Sequence, residues 1–364
     1  MTPLKRLEIY GKYVLAVLAA ALLWRPWRRA RAQKRLTHPR SVLLVRIDNR
    51  VGEALLTTPL LRALKALPDA PRVELLVHPK AARVLRGHPD LDALRTFEPR
   101  ARLLGPFSPA IRALRRERYD VVVNCASWAD PSVGPAIVAR LIGGRSAVLG
   151  PAIWPVRALF DVPVAPRTDT RHEARQRLHL LSPLRVDETQ APLSFRPVAE
   201  DEVVHTARNA AGGRPYAVIN PGGRLGYRRV PAEVFSAAAR ALLESGVMPL
   251  ITWGPGEEAL AAESLRGAEG AVIAPPTDLD QLAALMSGAC LTVCNNTGPM
   301  HLSVAVGTPT LGLFLHMETA RWGHHDPPHR MVDLTGVEDQ ASEVAGEVRR
   351  MLDASRLDLR PKSP

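Results

Sequence analysis

Residues 41–64 read SVLLVRIDNRVGEALLTTPLLRAL, which is the pattern of a β-strand followed by a short polar loop and a helix. The strand is predicted at Ser41–Ile47, because its apolar residues run almost without a break, as in strands that are covered on both faces of a parallel sheet. Helical spacing of apolar residues follows over Glu53–Leu67 and stops before Pro68. This stretch therefore predicts the first strand–helix unit of a parallel α/β sheet.

The same alternation of short apolar strands and amphipathic helices continues along the chain. It extends through Asp120–Cys125, is interrupted by seven prolines in residues 150–200, and restarts at Tyr216–Asn220. We place the linker between domains in the proline-rich stretch. Two successive α/β halves predict two Rossmann-like domains with parallel sheets that face a cleft. The expected segments are a basic leader at 1–40, an N-terminal domain at 41–195, a C-terminal domain at 196–340, and a helix and tail at 341–364.

The basic charge of the chain is concentrated at its N-terminus. The formal net charge is +12, and residues 1–40 hold ten basic side chains against one acid, a net of +9. The rest of the chain carries only +3, which does not support a nucleic-acid groove through its body. We therefore expect no nucleic-acid partner.

The basic leader contains an uncharged apolar run, Val14–Trp24, of eleven residues. A helix needs about 20 residues to span a bilayer, so this run is too short to cross. Arginines follow it directly, which opposes export as a signal peptide. We favour a helix in the membrane interface that places residues 1–36 on anionic lipid. Its head-group anchors would be Tyr10, Tyr13, Trp24 and Trp27. The alternatives are a disordered leader or a helix packed on the body.

The cysteines and histidines indicate neither a disulfide framework nor a metal site. The three cysteines, Cys125, Cys290 and Cys294, are odd in number and absent from the leader, which is typical of a reduced, cytosolic chain. Cys290 and Cys294 lie in or beside apolar stretches, so core packing explains them better than metal binding. The histidines in residues 324–329 do not have standard metal-ligand spacing.

The loop after the first strand carries a candidate catalytic group. It contains Asp48, Asn49, Arg50, Gly52 and Glu53. A carboxylate at the start of a helix, just beyond the carboxyl edge of a parallel sheet, lies where such folds bind ligands. An ionised Glu53 can take a proton from an attacking hydroxyl there. The alternative is an ordinary acid in the first turn of a helix.

Two loops of the second half have the composition of anion-binding loops. Residues 220–229 (NPGGRLGYRR) combine glycines with basic residues before a helix, and residues 294–301 (CNNTGPMH) join a strand to a helix that opens at Pro299. Backbone N–H groups and the positive end of a helix dipole favour phosphate at such places. A plain turn for the first loop and a helix-capping motif for the second are the alternatives.

Together, these loops resemble the heptosyltransferases, the glycosyltransferases of family nine that build the inner core of lipopolysaccharide. Leu43–Leu64 follows the family's opening strand, loop and Thr-x-Pro helix, and Asn296–Leu302 with Ala305–Pro309 is similar to its C-terminal signature. Arg228–Pro231 resembles the family's Lys-x-Trp-Pro segment, and Trp253–Glu258 its Gly-x-x-x-Glu loop.

The resemblance implies a GT-B architecture and an inverting sugar transfer. The donor would be a nucleotide sugar, in the first place ADP-heptose, bound by the C-terminal domain. The acceptor would be the lipopolysaccharide core or a similar lipid-linked saccharide, bound by the N-terminal domain. The resemblance implies no cofactor and no metal, and a peripheral position on the cytoplasmic, inner face of the inner membrane.

The resemblance also assigns roles to individual residues. Glu53 takes the place of the catalytic base, within an acceptor-side loop that comprises Asp48, Asn49, Arg50 and Gly52. Arg228 takes the place of a phosphate-binding lysine, and Glu258 (or Glu257) that of an acid that meets the nucleoside or sugar. The diphosphate and heptose end of the donor would be lined by Asn296, Thr297, Gly298 and His301.

Three of these positions depart from the family pattern. Glu53 stands where the family usually has Asp, Arg228 where it has Lys, and Asn296 where some members have an acid. Glu is longer by one methylene, Arg grips phosphate bidentately, and Asn removes a charge that could bind sugar hydroxyls. Two alternatives therefore stay open: a transferase that uses a different nucleotide sugar, and a non-catalytic protein that binds a nucleotide sugar or glycolipid.

Overall fold

The computed structural model describes residues 27–98, 108–129, 133–189, 192–197 and 200–358, together with Gly11, Val14, Val17 and Leu18. The chain divides into two compact units, residues 1–192 and residues 193–364. This division falls three residues before the boundary expected from the sequence. Each unit is built on one six-stranded parallel sheet.

The first unit has the strand order β3-β2-β1-β4-β5-β6. Its elements in chain order are α1 Trp27–Leu36, β1 Ser41–Arg46, α2 Val51–Leu55, α3 Thr58–Lys65, β2 Arg72–Val77, α4 Pro79–Ala82, β3 Ala93–Thr96, α5 Pro109–Arg116, β4 Val121–Asn124, α6 Val133–Ile142, β5 Ala147–Pro151, β6 Val162–Val164 and α7 Glu173–His179. Strand β1 lies between β2 and β4, where the direction of winding reverses. In an open α/β sheet, this switch point is where ligands bind.

The second unit repeats the same order, as β9-β8-β7-β10-β11-β12. Its elements are α8 Glu202–Asn209, β7 Tyr216–Asn220, α9 Ala232–Glu244, β8 Met248–Ile251, α10 Glu258–Glu263, β9 Val272–Ile273, α11 Leu279–Ser287, β10 Leu291–Asn295, α12 Gly298–Ala305, β11 Thr310–Phe314, α13 Thr319–Trp322, β12 Arg330–Asp333 and α14 Gln340–Asp358. The switch point here lies between β7 and β10. Helix α14 shares the core of this unit through Val344 and Val348.

The helix predicted over Glu53–Leu67 is two helices, α2 and α3. Pro59 has no N–H to donate to the carbonyl of Leu55, four residues earlier. The Thr58 hydroxyl donates to that carbonyl instead, at 2.7 Å. The break leaves Glu53 in the first turn of a short helix that directly follows the sheet edge.

The proline-rich stretch at 150–200 begins inside the first sheet, and the division between the two units falls near its end, after residue 192. Strand β5 ends at Pro151, and β6 contains Pro163. Strand β6 lies at the edge of the sheet and pairs with a strand on one side only. A proline there, which has no N–H, can therefore be accommodated without the loss of hydrogen bonds to two neighbouring strands. Helix α7 also belongs to the first unit, and it contributes to the site described below.

The second part of the basic leader, residues 27–36, forms a helix on the surface of the first unit. Helix α1 packs on the first unit through the buried side chains of Ala32 and Leu36, and Arg35 Nη1 lies 3.0 Å from Asp120 Oδ1. The alternative of a helix packed on the body therefore holds for residues 27–36. The anchors Tyr10, Tyr13, Trp24 and the Trp27 side chain lie outside the described residues. Among the residues described, no helix is long and apolar enough to cross a membrane.

Candidate functional site

A buried group of charges lies at the switch point of the first sheet. It is formed by Arg46 at the end of β1, Glu53 in α2, and Glu173 and Arg177 in α7. Arg46 Nη1 donates to the carbonyl of Cys125, just beyond β4, at 2.7 Å. The group therefore joins the ends of the two strands between which the winding reverses.

Glu53 is the centre of this group, and its side chain is almost fully enclosed, with the residue 7% exposed. Its Oε2 accepts hydrogen bonds from Arg46 Nη2, at 2.7 Å, and from Arg177 Nη2. Its Oε1 lies 3.2 Å from Nη1 of Arg50, a half-exposed side chain. Arg177 also donates to the backbone carbonyl of Glu53 at 2.7 Å, which fixes the position of the residue as well as its charge.

The three arginines keep Glu53 ionised. Burial alone would raise the pKa of this carboxyl, but the charges of Arg177, Arg46 and Arg50 outweigh burial and hold the pKa well below its usual range. Arg177 is in turn paired with Glu173, at 2.9 Å, and the two acids raise its pKa against the effect of burial. Glu53 is thus a carboxylate at neutral pH.

The rest of the predicted acceptor-side loop surrounds this centre. Asp48 bridges to Arg46 Nε at 2.5 Å and accepts from the Arg50 backbone N–H at 3.2 Å. Asn49 is exposed, and Gly52 lies within α2. Glu173 and Arg177 were not among the site residues predicted from the sequence. The signal was present as an acid and a base four residues apart, on the same helical face as Ala174 and Leu178.

In the second unit, the predicted donor loops follow three neighbouring strands. They come after β10, β7 and β8, which lie side by side in the sheet. Asn295, at the end of β10, ties two of them together, because its Nδ2 donates to the Pro221 carbonyl at 2.7 Å and its Oδ1 accepts from Val230 N–H at 3.0 Å. The buried Asn295 is thus a structural support, whereas its predicted neighbour Asn296 is only half-buried.

Of the two acids considered for the donor, Glu257 has the organising contacts. Its carboxylate accepts from the N–H groups of Gly223, at 2.8 Å, and Gly254, at 3.1 Å, and thereby joins the loops after β7 and β8. A side chain at Gly222 would meet this carboxylate and displace it from its present position. Glu258, in the first turn of α10, has an exposed side chain.

Arg228 and Arg229 have different partners. Arg229 donates to the Gly223 carbonyl and pairs with Glu257, and so holds its own loop. Arg228 has a buried Nε with no hydrogen-bond partner among the described residues, and its guanidinium lies 5.1 Å from the ring centroid of Tyr227. Arg228 therefore has a hydrogen-bond donor available for an anion, whereas Arg229 holds its own loop in place. The sequence analysis did not include Tyr227, which is 63% exposed.

The backbone N–H groups at the N-terminus of α12 are not capped by the side chain of the N-cap residue. Thr297 occupies the N-cap position, but its side chain caps no N–H of the helix and donates to the Asn295 carbonyl instead. The capping alternative for this loop is therefore not what the structure contains. Gly298 and Pro299 form the first turn, and the N-terminal N–H groups favour negative charge.

His301 lies one turn further into α12 and is buried against His324. The distance from His301 Nδ1 to His324 Nε2 is 2.8 Å. One of these two nitrogens must be unprotonated for the hydrogen bond to form. His325 makes a different contact, with the Thr319 carbonyl at 3.2 Å. Within the described part of the chain, no three His, Cys, Asp or Glu side chains converge as a metal site.

The chain matches one protein family and is similar to curated proteins of that family. A model of glycosyltransferase family 9 (heptosyltransferase) matches residues 109–345. Lipopolysaccharide heptosyltransferase 3 of Escherichia coli is 28% identical over 283 residues, which cover 72% of this chain and 80% of that protein.

Two solved structures are similar in fold. A family 9 glycosyl transferase from Veillonella parvula has a TM-score of 0.72 at 19% identity, over 87% of this chain and 97% of that one. The E. coli heptosyltransferase WaaC with ADP-2-deoxy-2-fluoro heptose has a TM-score of 0.63 at 20% identity, over 86% and 99%. These likenesses confirm the predicted α/β fold class, with two Rossmann-like domains of the GT-B type.

Proposed function

The chain belongs to glycosyltransferase family 9, the heptosyltransferase family, and from that premise we propose that it transfers heptose from ADP-heptose to a saccharide of the lipopolysaccharide core with inversion at the anomeric carbon. That the chain is a glycosyltransferase follows from the family. The donor, the acceptor and the roles of individual residues are the content of the proposal.

The observation that carries the proposal is the anion site at the edge of the second sheet. A cation with an unused buried donor, Arg228, and an uncapped helix N-terminus, at Gly298, follow neighbouring strands. Such a pair suits a diphosphate, since guanidinium binds phosphate bidentately and the helix adds backbone donors. The similar E. coli enzyme, solved with an ADP-heptose analogue, supports the same donor for this chain.

In the proposed reaction, an acceptor hydroxyl gives its proton to Glu53 as its oxygen attacks C1 of the donor sugar. A new C–O bond forms, the bond between C1 and the phosphate oxygen breaks, and ADP leaves with the electron pair. Attack opposite the leaving group inverts the anomeric carbon. Arg228 and the N-terminus of α12 take up the charge that develops on the diphosphate.

The contacts of Glu53 support Oε1 as the oxygen that takes the proton. Oε2 is held by two buried arginines, Arg46 and Arg177, whereas Oε1 meets only the half-exposed Arg50. Of the three arginines, Arg50 is the one with a half-exposed side chain, so it can turn towards water more readily than the two buried ones. That movement would free Oε1 for the acceptor hydroxyl.

One observation favours a second candidate function, a non-catalytic binding protein. A general base is most effective when its pKa lies near the working pH, and the arginines hold the pKa of Glu53 far below that range. If Arg50 stays on Oε1 when the acceptor binds, Glu53 is a structural ion and no transfer occurs.

A donor comparison tests the proposal. The purified chain is incubated with a delipidated lipopolysaccharide core oligosaccharide and either ADP-heptose or UDP-glucose, and release of nucleoside diphosphate is followed. Acceptor-dependent release of ADP from ADP-heptose is expected. Release from UDP-glucose alone would point to a different donor, and release from neither would support the binding protein.

Substitution of Arg228 tests the diphosphate site. Removing one charge-assisted contact in Arg228→Ala is expected to raise the KM for the donor by about ten- to a hundredfold, at 1.5–3 kcal/mol per contact. Arg228→Lys keeps the charge but loses the bidentate grip, so a smaller rise is expected. Unchanged donor KM in steady-state assays of both variants would remove Arg228 from the site. Donor affinity measured by calorimetry, without acceptor, separates binding from turnover.

We also propose that the leader holds the chain on the cytoplasmic face of the inner membrane. The basic excess of residues 1–40 supports anionic lipid as the partner. Val14, Val17 and Leu18 are helical, share one helical face by their spacing, and are exposed. Because α1 is packed on the first unit, we assign lipid contact to the part of the leader that precedes it.

Replacement of Val14, Val17 and Leu18 by Ser is expected to weaken binding to anionic vesicles by at least about tenfold, because buried apolar area drives interfacial insertion. Co-sedimentation with vesicles of phosphatidylglycerol and phosphatidylethanolamine measures this loss. Activity on a soluble oligosaccharide should be retained. Unchanged sedimentation would contradict the assignment, and deletion of residues 1–26 provides a control that leaves α1 in place.

A further inference from the structure

We propose that Trp154, supported by Trp128, forms a subsite of the first unit that stacks on a sugar ring of the acceptor saccharide. The inference rests on the proposed function, because it takes the acceptor to be a saccharide. It names a binding group that lies outside the loops discussed so far.

Trp154 has an unusual exposure. The side chain is 67% exposed, although tryptophan has a large apolar area to bury. Between residues 27 and 358, the described large hydrophobic side chains that are exposed are Trp154 and Tyr227. Both stand in loops that follow a strand, β5 and β7, at the carboxyl edge of their own sheet. In this fold class, that edge is where ligands bind.

The backbone around Trp154 is fixed, so its exposure is not that of a loose loop. On one side, Ala152 N–H donates to the Val164 carbonyl at 2.7 Å, and on the other, Arg157 N–H donates to the Ile153 carbonyl at 2.9 Å. The next residues, Pro155 and Val156, are buried. A rigid aromatic surface loses little conformational entropy when a ligand covers it.

Trp128 brings a second aromatic side chain to the same place. It lies in the loop after β4, and its Nε1–H donates to the Val164 carbonyl at 2.9 Å, the same carbonyl that anchors Ala152. One carbonyl thus holds both the Trp128 side chain and the backbone of Ala152, two residues before Trp154. The same loop begins at Cys125, whose carbonyl accepts from Arg46 of the Glu53 group. The aromatic pair and the proposed base thus share one edge of one sheet.

The spacing fits an oligosaccharide. Strand β5 lies two strands from β1, which is about 10 Å at the spacing of a sheet. On this spacing, we expect a saccharide with its reacting hydroxyl at Glu53 to meet Trp154 with another of its rings. The flat apolar face of an indole matches the C–H face of a pyranose, while the sugar hydroxyls stay in water.

A membrane contact explains the residue less well. Membrane-binding surfaces present several apolar side chains together with basic residues. In residues 27–189, as far as they are described, Trp154 is the one large hydrophobic side chain that is exposed. We therefore commit to a saccharide as the occupant.

The test measures the acceptor KM of Trp154→Ala with ADP-heptose and the delipidated core oligosaccharide. The acceptor KM is expected to rise about tenfold, which corresponds to 1.4 kcal/mol, with kcat and donor KM within twofold of wild type. Trp154→Phe keeps an aromatic face and should recover most of the affinity. Arg112→Ala, an exposed change on α5 of the same unit, is the matched control and should leave the acceptor KM unchanged.

Calorimetric titration of the oligosaccharide without donor keeps this test independent of catalysis. Weaker binding by Trp154→Ala supports the subsite even if no transfer is detected, whereas absence of transfer by wild type counts against the proposed function alone. Equal oligosaccharide affinity in wild type and Trp154→Ala would overturn the inference. So would loss of vesicle binding by Trp154→Ala with oligosaccharide affinity intact, since that result assigns the residue to lipid.

Discussion

Glu53→Gln is expected to lower the turnover of sugar transfer by a factor of about 10²–10⁴, the usual contribution of a positioned general base. The amide keeps the size of the side chain but cannot take the acceptor's proton. The donor groups belong to the second unit, so the affinity for ADP-heptose should stay within twofold of wild type. Steady-state ADP release and donor calorimetry measure the two quantities separately.

Two controls make this result specific to the base. Glu53→Asp keeps the charge and restores the residue that the family usually has, so it should retain much more activity than the amide. Asn49→Ala changes an exposed neighbour of the same loop, and its effect on kcat measures how far the loop tolerates substitution. Turnover by Glu53→Gln equal to that of wild type would exclude Glu53 as the base, whatever the donor proves to be.

Arg177→Met is expected to cost about 3–5 kcal/mol in the free energy of unfolding at neutral pH, the range found when one partner of a buried ion pair is removed. Arg177 is fully buried and donates to Glu53 and Glu173. Without it, two buried carboxylates lose their shared cation. Urea denaturation followed by circular dichroism measures the loss.

The pH dependence of this loss identifies its cause. Because the pKa of Glu53 is lowered in the folded wild type, this group contributes stability above its unfolded pKa, about 4.3, and the contribution is lost as the pH falls through the folded value. In Arg177→Met, burial is opposed by less positive charge and the folded pKa of Glu53 rises. The difference between the variant and wild type should therefore shrink as the pH falls from 7.5 to 3.5, through the variant's folded pKa towards the lower wild-type value.

Arg177→Lys and Arg175→Met are the controls for this prediction. The lysine keeps a positive charge and should recover part of the stability. Arg175 is exposed on the same helix, so its substitution should change stability by no more than about 0.5 kcal/mol. A loss at Arg177 that is the same at pH 7.5 and pH 3.5 would show that side-chain packing, and not the charge on Glu53, is what Arg177 provides.

Much of the fold was predictable because its signals are local. The strand at Tyr216–Asn220 was predicted with its exact ends, since an apolar β-branched run is bounded by prolines on both sides. The start of α11 is equally local, because Asp278 caps the helix and Gln281 completes a capping box within four residues. The strands β5 and β6 were missed because their prolines resemble those of a linker. The position of β6 at the edge of the sheet, where proline is tolerated, becomes visible only when the neighbouring strands are known.

The loop residues of the site were predictable from the sequence, whereas the residues that hold them in place were not. Glu53 and Arg228 stand in motifs that a single sequence displays, although their roles remain proposals. Arg177 lies 124 residues from Glu53, and no local pattern connects a charged helical residue to a distant acid. The different tasks of Glu257 and Glu258 depend on side-chain direction, which adjacent acids in a sequence do not specify.

The central claim is that this chain moves a heptose onto a core saccharide, and the mass of the acceptor tests it most directly. The purified chain, ADP-heptose and a delipidated core oligosaccharide are incubated together, and the saccharide is analysed by mass spectrometry. The account predicts an acceptor heavier by one heptosyl unit with wild type and almost no such product with Glu53→Gln. An unchanged acceptor mass, in a wild-type preparation that binds both ADP-heptose and the oligosaccharide, would contradict it.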